Sequence, residues 1–253
     1  MRAVEVVVQR HHQEQLAELD RVAAELRASI AHEVDRAIDR VVEFEIRSRK
    51  DIIYAGDQAA ALESSRFASE QLVGAKPFRT PSETLAHGLS IAPSGGLALE
   101  FGVATGETLS RIAEQRGGAD IYGFDCFDGL PEAWLPGMPA GTFARTDLPD
   151  VPGAELVVGL FDDTLPGFLD EHQDPVDFVH VDCDLYRSAV SVLRNVLPRM
   201  KQGGVIVFDE FFNYPGWQRH EYRAWTEYVE EFGVEFRYEA FTYEGNQMVV
   251  RLL

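Results

Sequence analysis

From about Gly96 to the end of the chain, short apolar runs typical of buried strands alternate with stretches that have the periodicity of amphipathic helices. Strands separated by helical crossovers form a parallel sheet with helices on both faces. The predicted fold class is therefore α/β, a doubly wound Rossmann-like sheet. A final hairpin, Glu235–Ala240 and Gln247–Leu252, adds an antiparallel strand to it. The earlier predicted strands are Leu97–Phe101, Ile121–Phe124, Glu155–Val158, Val176–Val181 and Val205–Phe208, with helices near 108–115, 165–171, 188–198 and 217–232.

A helical extension precedes this alternation. Residues 13–50 contain neither Gly nor Pro, and apolar residues recur every three or four positions among charged ones. This predicts a long amphipathic helix, which is a coiled-coil dimerisation arm, a helix folded back on its own domain, or a solvated helix. Gly56 is expected to interrupt it, with helices over 57–73 and 82–89 and a loop over 74–81. The predicted organisation is an N-terminal long helix over 1–55, a helical cap over the cofactor site at 56–92, and the α/β domain over 93–253.

Composition narrows the classes of partner. The chain has 253 residues, 45% of them hydrophobic and 26% charged, which is typical of a globular protein. Its net charge of −19 is concentrated in residues 91–253, which carry 11 basic and 27 acidic residues. Such a surface repels phosphate backbones and anionic membranes, so neither nucleic acid nor a membrane is the expected partner. With no CxxC pair and no apolar run of membrane-spanning length, we expect a soluble, cytoplasmic protein.

The residues that follow each predicted strand indicate a ligand, because open α/β sheets bind ligands at the carboxyl ends of their strands. The stretch Glu100–Gly106 contains two glycines that let the backbone approach a ligand, and Glu100 suits an ammonium group. Asp125 stands where a carboxylate accepts hydrogen bonds from ribose hydroxyls. Phe161 and Asp162 suit an adenine ring. A G-x-G-x-x-G fingerprint is missing, so the combination indicates S-adenosylmethionine rather than a dinucleotide.

At these positions the sequence resembles the macrocin-type O-methyltransferases, class I S-adenosylmethionine-dependent enzymes that methylate sugar hydroxyls on natural products. The resemblance covers roughly residues 66–250. The Asp209-Glu210 pair departs from the double aspartate of the antibiotic enzymes, which indicates a related branch, so the macrolide substrate is not carried over. The motifs that carry the resemblance are Glu100–Gly106, Asp125–Pro131, Asp163–Pro166, Val181–Tyr186 and Phe208–Glu210.

The resemblance implies a set of cofactor and metal residues. Asp182, Asp209 and Glu210 would bind a divalent metal, and three hard oxygen ligands suit Mg²⁺. Such a metal lowers the pKa of the acceptor hydroxyl. The alternative is that these carboxylates bind cofactor or substrate without a metal. The implied cofactor residues are Glu100, Gly102, Val103, Thr105 and Gly106 around the methionine end, Asp125 at the ribose, Phe127 and Phe161 beside the adenine, Asp162 near its amine, and Asp182.

The sequence does not decide which residue is the general base. Catechol O-methyltransferases place a lysine three residues after the first metal aspartate, and that position here is Leu185. Asp182, Asp184 and His220 are the candidates for the catalytic proton acceptor. Asp184 is alternatively a helix cap, and His220 an exposed helix residue.

Two aromatic segments are candidates for the acceptor pocket. Residues 131–152 form a long segment with five prolines that includes Trp134, Met138 and Phe143, and a loop of this length is usually functional or mobile. We interpret it as part of the acceptor pocket or a lid. The second segment follows the fifth strand and is either core or a pocket wall; its aromatic residues are Phe211, Phe212, Tyr214, Trp217 and Trp225.

The predicted function is S-adenosylmethionine-dependent methylation of a hydroxyl on a small molecule, a sugar or glycosylated natural product, assisted by Mg²⁺. The N-terminal helix predicts a homodimer or a larger homo-oligomer. Three alternatives remain. One is a metal-independent methyltransferase acting on nitrogen or a protein side chain. Another is a non-catalytic S-adenosylmethionine-binding scaffold assembled through the N-terminal helix. The third is a nucleotide-sugar or NAD enzyme, which Glu100 disfavours.

Overall fold

The structure, a computed structural model, describes residues 2–118 and 120–253. By the density of its internal contacts the chain divides into one unit that ends at Ala55 and one that spans Gly56–Leu253. The helices are α1 (Arg2–Lys50), α2 (Ile52–Gln71), α3 (Pro81–Ile91), α4 (Glu107–Arg116), α5 (Phe161–Glu171), α6 (Tyr186–Val196) and α7 (Glu221–Phe232). The strands are β1 (Lys76–Phe78), β2 (Leu97–Phe101), β3 (Ile121–Asp125), β4 (Glu155–Val158), β5 (Val176–Val181), β6 (Met200–Phe208), β7 (Phe236–Thr242) and β8 (Met248–Leu252).

The described residues of the first unit are helical except at Asp51. The break in the helix falls at Asp51 and not at Gly56, because the Asp51 carboxylate accepts the backbone N–H groups of Ile53 and Tyr54 at 3.0 Å each and caps α2. Gly56 lies inside α2, where a Cβ would stand 3.2 Å from Pro215. Among the described residues, no helix has the length and apolar character needed to cross a bilayer.

The second unit is built on an eight-stranded sheet. Its strand order is β1-β7-β8-β6-β5-β2-β3-β4, and β8 runs antiparallel to both β6 and β7 while the other pairs are parallel. The predicted fold class and its antiparallel C-terminal strand are confirmed. The segment expected to be a loop before α3 contributes the short edge strand β1, which pairs with β7.

Alternating side chains of the central strands build a core on each face of the sheet. Leu99 and Phe101 of β2 pack on the α5, α6 and α7 side, whereas Ala98 packs on the α3 and α4 side. β2 and β5 are buried along their whole length, and polar groups follow at their carboxyl ends. The chain reverses direction across the sheet between β2 and β5, and a crevice opens at such a point.

Candidate functional site

A cavity of about 480 Å³ lies at the carboxyl ends of the central strands. It stands where the reversal of strand order places a crevice. Its walls come from the segments that follow β2 to β6, so the motifs of the sequence meet around one space. The lining residues include Gly102, Ala104, Asp125, Leu130, Trp134, Phe143, Phe161, Asp162, Asp182, Cys183, Asp184, Arg187 and Glu210.

The loop after β2 is held against the sheet by Asp125. One Asp125 oxygen accepts the backbone N–H groups of Val103 and Ala104 at 2.9 Å each, and the other accepts that of Phe127 at 2.8 Å. Gly102 has a φ of 95°, and a Cβ there would stand 1.7 Å from the carbonyl oxygen of Asp182. Only glycine therefore lets the ends of β2 and β5 meet this closely.

The other residues expected around the methionine end differ in exposure. Val103 is buried, and Thr105 is exposed in the turn before α4. Gly106 caps α4 at a φ of 78°, with Val151 and Pro149 within 3 Å of the place a Cβ would take. These residues thus shape the turn, whereas Gly102 and Ala104 face the cavity.

The expected adenine end is supplied by the start of α5. Phe161 lines the cavity and packs edge-on against Phe101, with ring centroids 5.3 Å apart. Asp162 also lines it and accepts the hydroxyl of Ser191 at 2.5 Å. Phe127, expected beside the adenine, is instead buried in the core on the α3 and α4 face. The sequence shows that Phe127 follows β3, but not to which side of the turn its ring points.

A buried row of three polar groups lies near the carboxyl ends of the neighbouring strands β2, β5 and β6. His180 Nδ1 is 2.9 Å from Glu100 Oε1, and His180 Nε2 is 3.6 Å from Asp209 Oδ1. Burial lowers the pKa of His180, but the two carboxylates outweigh it and raise that pKa well above its usual value. Burial raises the pKa of Asp209, and the neighbouring imidazole reverses the shift so that the pKa falls. The sequence did not predict this row of groups, because His180 is one position within an otherwise apolar strand.

A second cavity, of about 380 Å³, adjoins these polar groups. His180, Asp182 and Asp209 line it together with residues at the starts of α3 and α4. Asp182 lines both cavities. The lining residues from the helix starts are Thr80, Pro81, Ser82, Leu85, Glu107, Thr108 and Arg111.

Three carboxylates gather at the floor of the first cavity. One ligand atom from each of Asp182, Asp184 and Glu210 lies within 4.8 Å of the others. Burial, and then the charge of Asp209, raise the pKa values of Asp182 and Glu210 well above the usual range and that of Asp184 to about 7. Asp182 and Glu210 belong to the metal set expected from the sequence. In the structure Asp184 completes the group, and Asp209 pairs with His180.

This arrangement fits a hard divalent cation. The donors are all carboxylate oxygens, which Mg²⁺ and Ca²⁺ prefer. Oε2 of Glu210 is buried and has no hydrogen-bond partner in the part of the chain that the structure describes. A cation would offset the repulsion among these carboxylates, which adds to burial in raising their pKa values.

Glu221 supports the cluster from below and was not singled out in the sequence. It is fully buried at the first turn of α7, and its carboxylate accepts the backbone N–H of Glu210 at 3.1 Å and that of Cys183 at 3.4 Å. Burial raises the pKa of Glu221 well above its usual value. The available signal was its helical phase, since Glu221 shares the apolar face of Ala224, Trp225 and Tyr228.

His220 lies beside the cavity wall. Its ring centroid is 6.4 Å from that of Trp134, which lines the cavity, and 6.1 Å from that of Tyr214. Burial, and then the charge of Arg219, lower the pKa of His220, which favours a neutral ring. Trp134 and Phe143 bring the proline-rich segment into the cavity wall. The aromatic patch after β6 is core, with Phe211, Phe212, Tyr214, Trp217 and Trp225 all buried.

The strand order, the glycine turn after β2 and the acids at the strand ends are the features that the sequence predicts for a class I methyltransferase fold. Residues 99–211, less than half of the chain, match the family described as "Methyltransferase domain". The protein is thus an enzyme of the methyltransferase class, as the sequence predicted. No curated protein sequence matches the chain.

Several solved structures are similar to this chain. The calicheamicin methyltransferase CalS11 is 24% identical, with a TM-score of 0.54 over 67% of this chain and 76% of that one. The O-methyltransferase NovP is 20% identical, with a TM-score of 0.48 over 67% and 78%. An O-methyltransferase from Bacillus cereus, solved in complex with SAH, is 15% identical, with a TM-score of 0.46 over 84% and 97%. The likeness to CalS11 supports the fold alone and carries over nothing about its substrate.

Proposed function

We propose that the protein transfers the methyl group of S-adenosylmethionine to a hydroxyl of a small molecule, a sugar or a glycosylated natural product, with help from a divalent metal. The observation that carries this is one cavity that joins the Asp125 loop to the buried carboxylates Asp182, Asp184 and Glu210. The first part suits a nucleoside and the second a metal-bound hydroxyl. The macrocin-type motifs support the sugar hydroxyl, since four of the five contribute residues to this cavity.

The cofactor would lie along the strand ends from β4 to β5. Asp125 accepts the ribose hydroxyls, and Phe161 with Asp162 bounds the adenine. The Glu100–Gly106 turn surrounds the methionine end. There Glu100 is fully buried and lines neither cavity, but its Oε2 lacks a hydrogen-bond partner among the described residues, which supports an ammonium group beside it. Thr80 and Ser82 at the start of α3 border the second cavity, which supports segment 56–92 as a cover over this end.

Asp182, Asp184 and Glu210 would hold the metal, with Asp209 close by, and a bound Mg²⁺ would supply Lewis-acid stabilisation of the acceptor oxygen. The chain's own groups then position the reactants and take the proton. Asp184 is the proposed base, because it lines the cavity and has a second carboxylate oxygen beside the one that the cation would take. Burial raises its pKa to about 7 in the metal-free cluster, and a bound cation would lower that pKa. His220 packs edge-on against Trp134, which lines the cavity, so we assign His220 to the cavity wall and not to proton transfer.

The transfer itself is an in-line displacement. The bond from the methyl carbon to sulfur breaks as the bond from that carbon to the acceptor oxygen forms. Sulfur keeps the electron pair and becomes a thioether, while the hydroxyl proton passes to the Asp184 carboxylate. The products are S-adenosylhomocysteine and a methyl ether. The enzyme contributes mainly orientation and a low-dielectric cavity, so the geometry of the cavity decides the rate.

Calorimetric titration with S-adenosylhomocysteine tests this assignment first. We expect saturable binding to the parent protein and binding about tenfold weaker or more for Asp125→Asn, which loses charge-assisted hydrogen bonds. Asp128→Asn is the matched control, because Asp128 is an exposed acid three residues further along the same turn. A parent protein that binds no S-adenosylhomocysteine would refute the proposal. Release of S-adenosylhomocysteine with a panel of glycosides, phenols and amines then identifies the acceptor class.

A further inference from the structure

Helix α1 carries an apolar stripe that repeats every 11 residues. Leu19, Ile30 and Val41 are 11 residues apart, and the same spacing relates Ala23 to Val34 and Leu26 to Ala37. An 11-residue repeat corresponds to about 3.67 residues per turn, close to that of a straight α-helix, so the stripe stays on one side. It runs about 37 Å from Leu19 to Phe44. The stripe consists of Leu19, Val22, Ala23, Leu26, Ile30, Val34, Ala37, Val41 and Phe44.

The stripe is exposed in the single chain. Leu19 is 64% exposed, Val41 66% and Phe44 61%. A contiguous apolar surface of this length is typical of an interaction site. A membrane surface is a poor occupant, because residues 2–50 carry nine basic and ten acidic residues, whereas helices that lie on membranes are basic. The charged residues that border the stripe indicate which partner can cover it.

Most charges along one border of the stripe change sign at its middle; the exception is Glu43, which lies 18 residues, or five turns, after Glu25. Glu18 and Glu25 occupy the N-terminal half, and Arg36, Arg40 and Arg47 the C-terminal half. Their spacings of 7, 11, 4 and 7 keep them on one side of the helix. When two copies of a helix pair antiparallel, this border faces itself in reverse, so acids meet arginines. Flanking charges of this kind set helix orientation.

One register satisfies the stripe and the border together. With the two-fold axis near residue 32, Leu19 faces Phe44 of the second copy, Ala23 faces Val41, and Ile30 faces Val34. The same register places Glu25 beside Arg40 and Glu18 beside Arg47 of the other copy. In a parallel pair Glu25 and Arg40 would be separated along the axis by about 22 Å.

The border groups other than Arg40 already make ion pairs at the surface of their own chain, including Arg47 with Asp51 at 3.2 Å, and such exposed pairs are weak enough to be exchanged for a partner in the second copy. Within their own helix Glu18 and Glu25 contact Arg21, at 2.6 and 3.0 Å, and both stay exposed. Arg40 makes no ion pair with any residue that the structure describes. Glu33, the one acid within the stripe, is paired at 2.8 Å with Arg36 of its own helix. We infer that α1 joins two copies of this chain as an antiparallel pair in this register.

Cysteine crosslinking of the full-length protein tests the orientation. Leu19→Cys alone and Phe44→Cys alone should give no covalent dimer, whereas the double variant should give one, since only the antiparallel pair brings positions 19 and 44 together. The oxidised parent is the control for Cys126 and Cys183, which are free. A dimer from either single variant, or none from the double variant, overturns the inference.

A charge-reversal cycle measured by sedimentation tests the register. The parent should be a dimer, and Glu25→Arg or Arg40→Glu should each weaken it about three- to tenfold by opposing like charges at two symmetric pairs. The double variant should recover the parent's dissociation constant. Asp39→Arg, on the opposite side of the helix, is the control and should leave it unchanged. A monomeric parent, or a double variant as weak as the sum of the single ones, overturns the proposed pairing, and neither result bears on methyl transfer.

Discussion

Asp184 occupies an unusual position among the acids of the site. Its φ of 62° lies in the left-handed region, which costs a non-glycine residue free energy, and its carboxylate is turned into the cluster with Asp182 and Glu210. Strain of this kind is found where a side chain must reach a functional place. The geometry therefore favours a functional interpretation of Asp184 over the helix cap that the sequence also allowed, and no side-chain capping hydrogen bond is made at the start of α6.

Asp184→Asn should lower kcat about 10²- to 10⁴-fold, since the amide cannot take the acceptor proton. Asparagine also tolerates a left-handed backbone, so the fold should persist. Affinity for S-adenosylhomocysteine should stay within about twofold of the parent's. Asp163→Asn, an exposed acid on α5, is the control. An Asp184→Asn enzyme with the parent's kcat would exclude Asp184 as the base.

Glu221 makes its contribution by holding two loops. Glu221→Ala should lower the free energy of unfolding by about 1–3 kcal/mol, because the buried N–H groups of Glu210 and Cys183 lose their acceptor. Glu221→Gln keeps an acceptor oxygen and should recover part of this loss. Urea denaturation measures both, with the exposed Glu230→Ala on the same helix as control. Equal stability of Glu221→Ala and the parent would show that the carboxylate positions nothing.

The sequence could predict candidates at single residues but not their partners. Gly102 follows β2, Asp125 ends β3 and Phe161 begins α5 shortly after β4, and all three line the cavity. Phe127 and Asp209 also follow strands, yet one enters the core and the other pairs with His180. Whether a side chain after a strand turns toward the cavity depends on the φ and ψ of the turn, which local residue types do not determine.

At the scale of elements, strands with an apolar run were predictable and pairing across long distances was not. β2, β4 and β5 have the bounds that the sequence predicts. β1 has only three residues, and its partner β7 lies about 160 residues further along the chain. Such an edge strand has too few side chains to show an alternating pattern. The break at Asp51 was missed for a related reason, since a capping carboxylate is a weaker signal than a glycine.

The turn after β2 gives the sharpest test of an element. Gly102→Ala would place a Cβ 1.7 Å from a backbone oxygen at a positive φ, so β2 and β5 must separate. We expect destabilisation of more than about 1 kcal/mol and loss of S-adenosylhomocysteine binding. Gly167→Ala in α5 is the control, because its Cβ would meet nothing within 4 Å, and alanine should hold or raise the melting temperature. Equal melting temperatures for both variants would contradict the close approach.

At the scale of the whole molecule, acidic residues outnumber basic ones, and the fold brings several of the acids together at one place. The chain carries 42 acidic and 23 basic residues, and at the strand ends Asp182, Asp184, Asp209, Glu210 and Glu221 lie within reach of one another's charge. Burying so many carboxylates destabilises the metal-free protein. A group of acids that costs stability, and four of whose members the sequence predicts for catalysis or metal binding, is better explained by a ligand than by stability.

Metal addition and removal should therefore change the stability of the whole molecule. We expect Mg²⁺ at about 100 times its dissociation constant to add about 2.7 kcal/mol, which for a chain of this size raises the melting temperature by roughly 5–10 °C, and EDTA to reverse it. Glu210→Gln should lose this response. Its metal-free melting temperature should equal or exceed the parent's, because burial and the charges of Asp209 and Asp182 already favour a neutral side chain there. Glu132→Gln removes an acid that lines the cavity outside the cluster, so it should respond as the parent does. If the parent ignores both Mg²⁺ and Mn²⁺, or if Glu210→Gln responds like the parent, the three carboxylates are not a metal site, and their role would then be contact with the substrate alone.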